Sequence, residues 1–123
     1  SHSEGVGTTA SGAQSHAQNS SNVAAGSNSH AGGFQSTANT SNSFVHSYGS
    51  LVNGTNSAIL GGSFITGNSN NTVYVPNFVI KKVSSVPTSS ADSVGEPGSI
   101  TWDSTYFYWK TATGWLRVAG STF

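Results

Sequence analysis

The chain has 123 residues, no cysteine or methionine, a formal net charge of zero and only 7% charged residues. That balance argues against nucleic acid or an anionic membrane as a partner, because both are gripped through clustered Lys and Arg. Without cysteine no disulfide can staple the fold, and no apolar run approaches the roughly 18 residues of a membrane-spanning helix or reads as a signal peptide, so no membrane insertion is expected. The missing Met at position 1 leads us to expect a fragment of a longer chain.

From Ser1 to Asn77 the sequence reads as eleven seven-residue units: SHSEGVG, TTASGAQ, SHAQNSS, NVAAGSN, SHAGGFQ, STANTSN, SFVHSYG, SLVNGTN, SAILGGS, FITGNSN, NTVYVPN. Slot one is Ser, Thr or Asn in ten copies, with Phe64 the exception. Slot three is Ala at positions 10, 17, 24, 31 and 38 and then becomes Val45, Val52 and Ile59. Gly occupies slot five in six copies, and no insertion is evident in the frame. A period this strict signals a stack of repeated structural steps. A coiled coil is excluded, because its heptad needs large apolar side chains where this one carries Ser, Thr, Asn and Gly.

Each unit reads as a short strand and a turn, with slots one, three and five facing a tightly packed interior and slots two and four facing out. Two units make one flattened coil of about 14 residues, and coils stack at roughly 4.8 Å by strand hydrogen bonding. Composition opposes this order in the first 42 residues, whose large apolar side chains are only Val6, Val23 and Phe34. So little apolar surface does not offset a backbone ordering cost of about 1–2 kcal/mol per residue. Several copies covering one another are therefore expected. From Ser43 onward large apolar residues become dense, and this half is expected to hold the shared core.

After Asn77, Phe78-Val79-Ile80 reads as the start of a strand, and the Ser-rich stretch to Gly98, with Pro87 and Pro97, as a connector over 79–98. The remaining 99–123 form a small antiparallel meander. Its strands are Ser99–Asp103, Thr105–Lys110 and Trp115–Ala119, with a turn at Thr113-Gly114.

These motifs carry a resemblance. Ser1-His2-Ser3-Glu4-Gly5 and Thr8-Thr9-Ala10-Ser11-Gly12, alternating every seven residues, resemble the SHAEG/TTASG repeats of bacteriophage tail-fibre proteins. The layout is also similar to the head repeats of trimeric autotransporter adhesins, which form left-handed parallel β-rolls. The tail, with Trp102-Asp103, Tyr106-Phe107-Tyr108 and Trp115-Leu116-Arg117-Val118-Ala119, resembles a C-terminal module of phage fibres. The array departs from the motif after Asn42. The resemblance implies a homotrimeric, all-β fibre segment: a parallel β-roll over 1–78 followed by the meander, extracellular on a virion, contacting a host surface glycan or protein. A bacterial adhesin head, or a trimerisation cap without a ligand, are the alternatives.

His2, His16 and His30 recur every 14 residues in slot two. In a trimer each forms a ring, either stacked along the axis or facing solvent. Metal ligation is not expected, since no carboxylate or Cys company accompanies them. Phe44, Leu60 and Tyr74 share the histidine face, and Val23, Leu51 and Ile65 the other. In the meander, Tyr108, Trp109, Lys110 and Trp115 are the candidate receptor contacts, because an aromatic ring matches the apolar face of a sugar. The competing reading is that so small a meander needs its aromatics as core. Sequons at Asn19, Asn39, Asn53 and Asn70 arise from composition alone. No nucleophile elbow, ordered triad or phosphate loop occurs, so neither an enzyme nor a cofactor is expected.

Overall fold

The computed structural model describes residues 1–79 and 86–121, and its regular elements there are all strands, with no helix. The chain forms two units, Ser1–Phe78 and Val79–Phe123.

The first unit contains β1 (His2–Val6), β2 (Thr9–Ala10), β3 (His16–Ser20), β4 (Val23–Ala24), β5 (His30–Phe34), β6 (Thr37–Ala38), β7 (Phe44–Tyr48), β8 (Leu51–Val52), β9 (Ala58–Ser63), β10 (Thr66–Gly67) and β11 (Val73–Tyr74). Odd-numbered strands form one six-stranded sheet and even-numbered strands a five-stranded one, both in coil order. All pairs are parallel, and the register advances by one coil: His2 faces His16, His16 faces His30, and His30 faces Phe44. The unit is a parallel β-solenoid of about five turns, each using two heptads.

The small slots dictate this shape. Ala17, Ala24, Ala31, Ala38, Val45, Val52 and Ile59, all in slot three, are fully buried and form the core between the sheets. Slot one is buried beside them, at Ser15, Asn22, Ser29, Ser36, Ser43, Ser50 and Ser57. Buried hydroxyls and amides need partners, and the backbone supplies them. Ser15 and Ser29 donate to the carbonyls of Gly12 and Gly26 at 2.7 and 2.6 Å. The Asn22 amide donates to Gln18 and Gly33 carbonyls and accepts from Ser36 N–H.

Slot seven makes the corners. Gly7, Gln14, Ser21, Asn28, Gln35, Asn42, Gly49 and Asn56 all take φ between 53° and 65°. Asn and Gly tolerate this left-handed region best, which explains their recurrence there. Between corners, Gly12 packs its Cα against the Gly26 carbonyl of the next coil, where a Cβ would collide with backbone.

The frame does not run unbroken to Asn77. His46 pairs with Leu60, but Tyr48 pairs with Ser63, so the ladder slips by one residue. Beyond it Thr66 faces Leu51 and Val73 faces Ala58, a step of fifteen residues (66 − 51 and 73 − 58). The extra residue is absorbed at Gly61-Gly62, with φ of 74° and 76°. Phe64 therefore occupies the corner that Gly49 holds one coil earlier, at φ 54°, and slot one passes to Ile65, the counterpart of Ser50 one coil earlier. Ile65 and Tyr74 shift inward and pack against the core, instead of on the outer faces expected for them. Phe78 and Val79 form no strand, and Ile80 lies outside the described residues.

In the second unit β12 (Ile100–Trp102), β13 (Tyr106–Thr111) and β14 (Gly114–Ala119) form the expected antiparallel meander. Pro87–Gly98, within the stretch read as a connector, folds across one side of it as a strap. Lys110 Nζ donates to the carbonyls of Asp92, Val94 and Gly95 at 3.0, 2.8 and 2.9 Å. Trp115 donates from Nε1 to Val94 and from its backbone N–H to Ser90. The strap is closed on itself by the Asp92 carboxylate, which accepts from Thr88 N–H, Thr88 Oγ1 and Val94 N–H. These bonds hold the Asp92 carboxyl below its ordinary pKa.

Candidate binding surfaces

Slots two, four and six of the long strands point away from the solenoid core, as the alternating exposure of Phe44–Tyr48 shows. The register turns slot two into a ladder. His2 and His16 stack at 5.1 Å, His16 and His30 meet edge-on at 5.0 Å, and His30 stacks on Phe44 at 4.7 Å. Contrary to the expectation that no carboxylate accompanies these histidines, Glu4 stands beside the first two, 3.8 and 3.9 Å from their Nε2 atoms. Partial burial, followed by the neighbouring His16 and His46, pushes the His30 pKa below the usual imidazole value. Among the described residues no group of three His, Cys, Asp or Glu is arranged to hold a metal ion.

Farther along the same sheet the outward side chains become apolar. Phe34, Phe44, Tyr48, Leu60 and Phe64 are between 36% and 72% exposed. Phe34, Tyr48 and Phe64 form a second ladder, with successive ring centroids 5.3 and 5.1 Å apart. The five-stranded sheet presents smaller groups at its slot-two positions Thr9, Val23, Thr37, Leu51 and Thr66.

Alternation divides the meander equally sharply. Ile100, Trp102, Phe107, Trp109, Leu116 and Val118 pair across the strands on one side, and there Trp102, Phe107, Leu116 and Val118 are 40–54% exposed. Thr101, Tyr108, Lys110, Trp115 and Arg117 lie on the other side, under or beside the strap. The four candidate contact residues thus do not converge. Tyr108 and Trp115 are buried, with the Tyr108 hydroxyl donating to Asp103 at 2.7 Å. That bond is the main reason the phenol pKa is raised. Lys110 is held by its three carbonyls, and only Trp109 belongs to the exposed apolar side.

Sequence reasoning did not single out Arg117 or the strap. The Trp-x-Arg spacing was the available signal, since residues two apart on a strand share a face. The Arg117 guanidinium lies 4.1 Å over the Tyr106 ring at the edge of a groove of about 310 Å³. The groove runs between the strap (Pro87, Ser89, Ser90) and β14 (Trp115, Leu116, Arg117).

No protein-family model matches the chain, nor does any curated protein or any solved structure.

Proposed function

We propose that the chain is a structural and adhesive segment of a trimeric viral tail fibre, borne outside the cell and directed at a host surface glycan or protein. One observation carries this reading: the solenoid is apolar on the wrong side. Its interior is filled mainly by Ala, Ser and Val, with Ile59 at the bulky end, whereas Phe34, Phe44, Tyr48 and Leu60 stand on the outer face of the six-stranded sheet. Monomeric proteins rarely leave contiguous apolar patches beyond a few hundred Å² uncovered. Copies of the same chain, in register, supply matching ladders, and three left-handed rolls meeting through this sheet bring the His and Phe rungs to a common axis. The exposed apolar side of the meander supports the same association. The repeat resemblance supports the fibre setting, and the stack of in-register parallel strands suits a stiff projecting element.

Light scattering tests the assembly. A monodisperse trimer is expected, and Phe44→Ser with Leu60→Ser should dissociate it and weaken the β circular-dichroism signature with it. A stable, well-folded monomer overturns the reading. A trimer that adheres to no cell and no glycan would favour a trimerisation cap, a reading supported by the internal engagement of Tyr108, Lys110 and Trp115.

A further inference from the structure

We infer that the groove between the strap and β14 is a binding site for an anionic sugar, a pyranose carrying a carboxylate or a phosphate, with Arg117 as the group that grips the anion. This inference rests on the adhesive reading above and names its ligand class.

Three observations carry it. Arg117 is a preorganised cation. Its guanidinium is stacked on Tyr106, and its cross-strand neighbour Tyr108 is fixed by hydroxyl donation to Asp103 at 2.7 Å. Among the described residues no carboxylate forms an ion pair with it. Asp103 accepts instead from Tyr108 and from the N–H groups of Thr105 and Tyr106. A planar guanidinium held in place presents donors suited to a bidentate bond with a carboxylate or phosphate.

The groove also has the size and lining of a sugar site. Its volume of about 310 Å³ sits at the lower end of the range for small-molecule sites, about 300–1,000 Å³, which fits one or two sugar rings. Trp115 and Tyr108 form a rigid floor, each only 6% exposed. The strap contributes Ser89 and Ser90, whose exposed side chains offer hydroxyls to ring hydroxyls of a ligand. Charge bookkeeping points the same way. The other cation of the meander, Lys110, already donates to three carbonyls, so within the described residues Arg117 is the cation left to meet an anion.

The intact chain, checked by light scattering, would be titrated with methyl glucuronide, glucose 6-phosphate and neutral methyl glucoside, following tryptophan fluorescence and ligand NMR. The anionic sugars should bind and the neutral one should not. Arg117→Gln should weaken binding by about tenfold or more, the scale of one charge-assisted contact, and Arg117→Lys should recover only part. Should Arg117→Gln unfold the meander, Ser90→Trp fills the groove from the strap and should abolish binding with Arg117 intact. The relative response to glucuronide and phosphate identifies which anion the host surface presents. Equal binding of methyl glucoside, binding insensitive to both variants, or no binding of either anionic sugar overturns the inference. If the chain nevertheless adheres to cells with Arg117→Gln in place, the adhesive reading survives without this site. Loss of all adhesion, by wild type as well, removes both.

Discussion

His30 and Phe44 lie one coil apart with their rings 4.7 Å between centroids and 10° from parallel. This contact ends the imidazole ladder on an exposed apolar ring, and the next residue in that column is Ala58. Stacking on a neutral imidazole is undemanding, whereas an imidazolium there faces His16 and His46 and loses hydration.

The pH dependence follows from that contact. With the folded His30 pKa below the ordinary value of 6.5, the unfolded chain takes up the proton first as pH falls. The His30 contribution to stability is therefore fully present above about pH 7, declines as pH passes below 6.5, and is lost below the folded pKa. The neighbouring groups on this face are His16, His46 and, through His2 and His16, Glu4. The melting temperature should be lower at pH 5.5 than at 7.5, and His30→Phe should shrink that difference. An unchanged difference would rule out this origin.

The interior tolerates change unequally along the stack. Ile59→Ala empties a fully buried site and should cost about 2–5 kcal/mol. Ala24→Leu, equally buried, should cost about 1–3 kcal/mol by overpacking sheets that approach closely there. Denaturant unfolding followed by circular dichroism measures both. A stabilising Ala24→Leu would show a void that the closely packed interior does not contain.

Asn42 links two rungs of an amide ladder, accepting from Asn28 at 3.2 Å and donating to Asn56 at 2.9 Å, while holding φ at 54°. Asn42→Ala meets the left-handed penalty of about 1–2 kcal/mol in addition to losing the ladder. Asn42→Gly loses the ladder alone and should be the milder change. Equal losses in thermal melts would show that the amide bonds, not the corner conformation, dominate.

Lys110 ties the strap to the meander. Lys110→Met keeps most of the aliphatic stem but removes three donors, and should destabilise this unit by about 1–3 kcal/mol. All three tryptophans, at 102, 109 and 115, lie in the meander, so their fluorescence isolates its unfolding. A parallel loss of solenoid signal would contradict the assignment to one unit. An unaltered fluorescence transition would show that the strap is held by Trp115 and the backbone alone.

Much of the solenoid was legible in the sequence, because each slot repeats one physical demand. Small residues mark the interior, Asn and Gly mark the corners, and the period gives the coil length. The slip at Gly61-Gly62 was not legible, for a specific reason. Two glycines with positive φ hide an inserted residue, and the Ser63-Phe64-Ile65 that follows still resembles a heptad boundary. Only the ladder, with Tyr48 opposite Ser63, exposes the shift that turns Ile65 and Tyr74 inward. In the meander, the period-two alternation of a strand is enough to assign the two faces. It could not reveal that Pro87–Gly98 returns to cover one of them, since Lys110 meets Asp92, Val94 and Gly95 only through tertiary folding. Arg117 escaped notice because its value as a site depends on that strap and on Tyr106 beneath it.

The buried column that thickens from Ala17 through Val45 to Ile59 gives the stack a direction in time. In a linear array each turn is stabilised mainly by its neighbours, so ordering should nucleate on the bulkier late turns and zip backwards toward Ser1. The segment synthesised first would then be the last to become structured, waiting for a template made behind it.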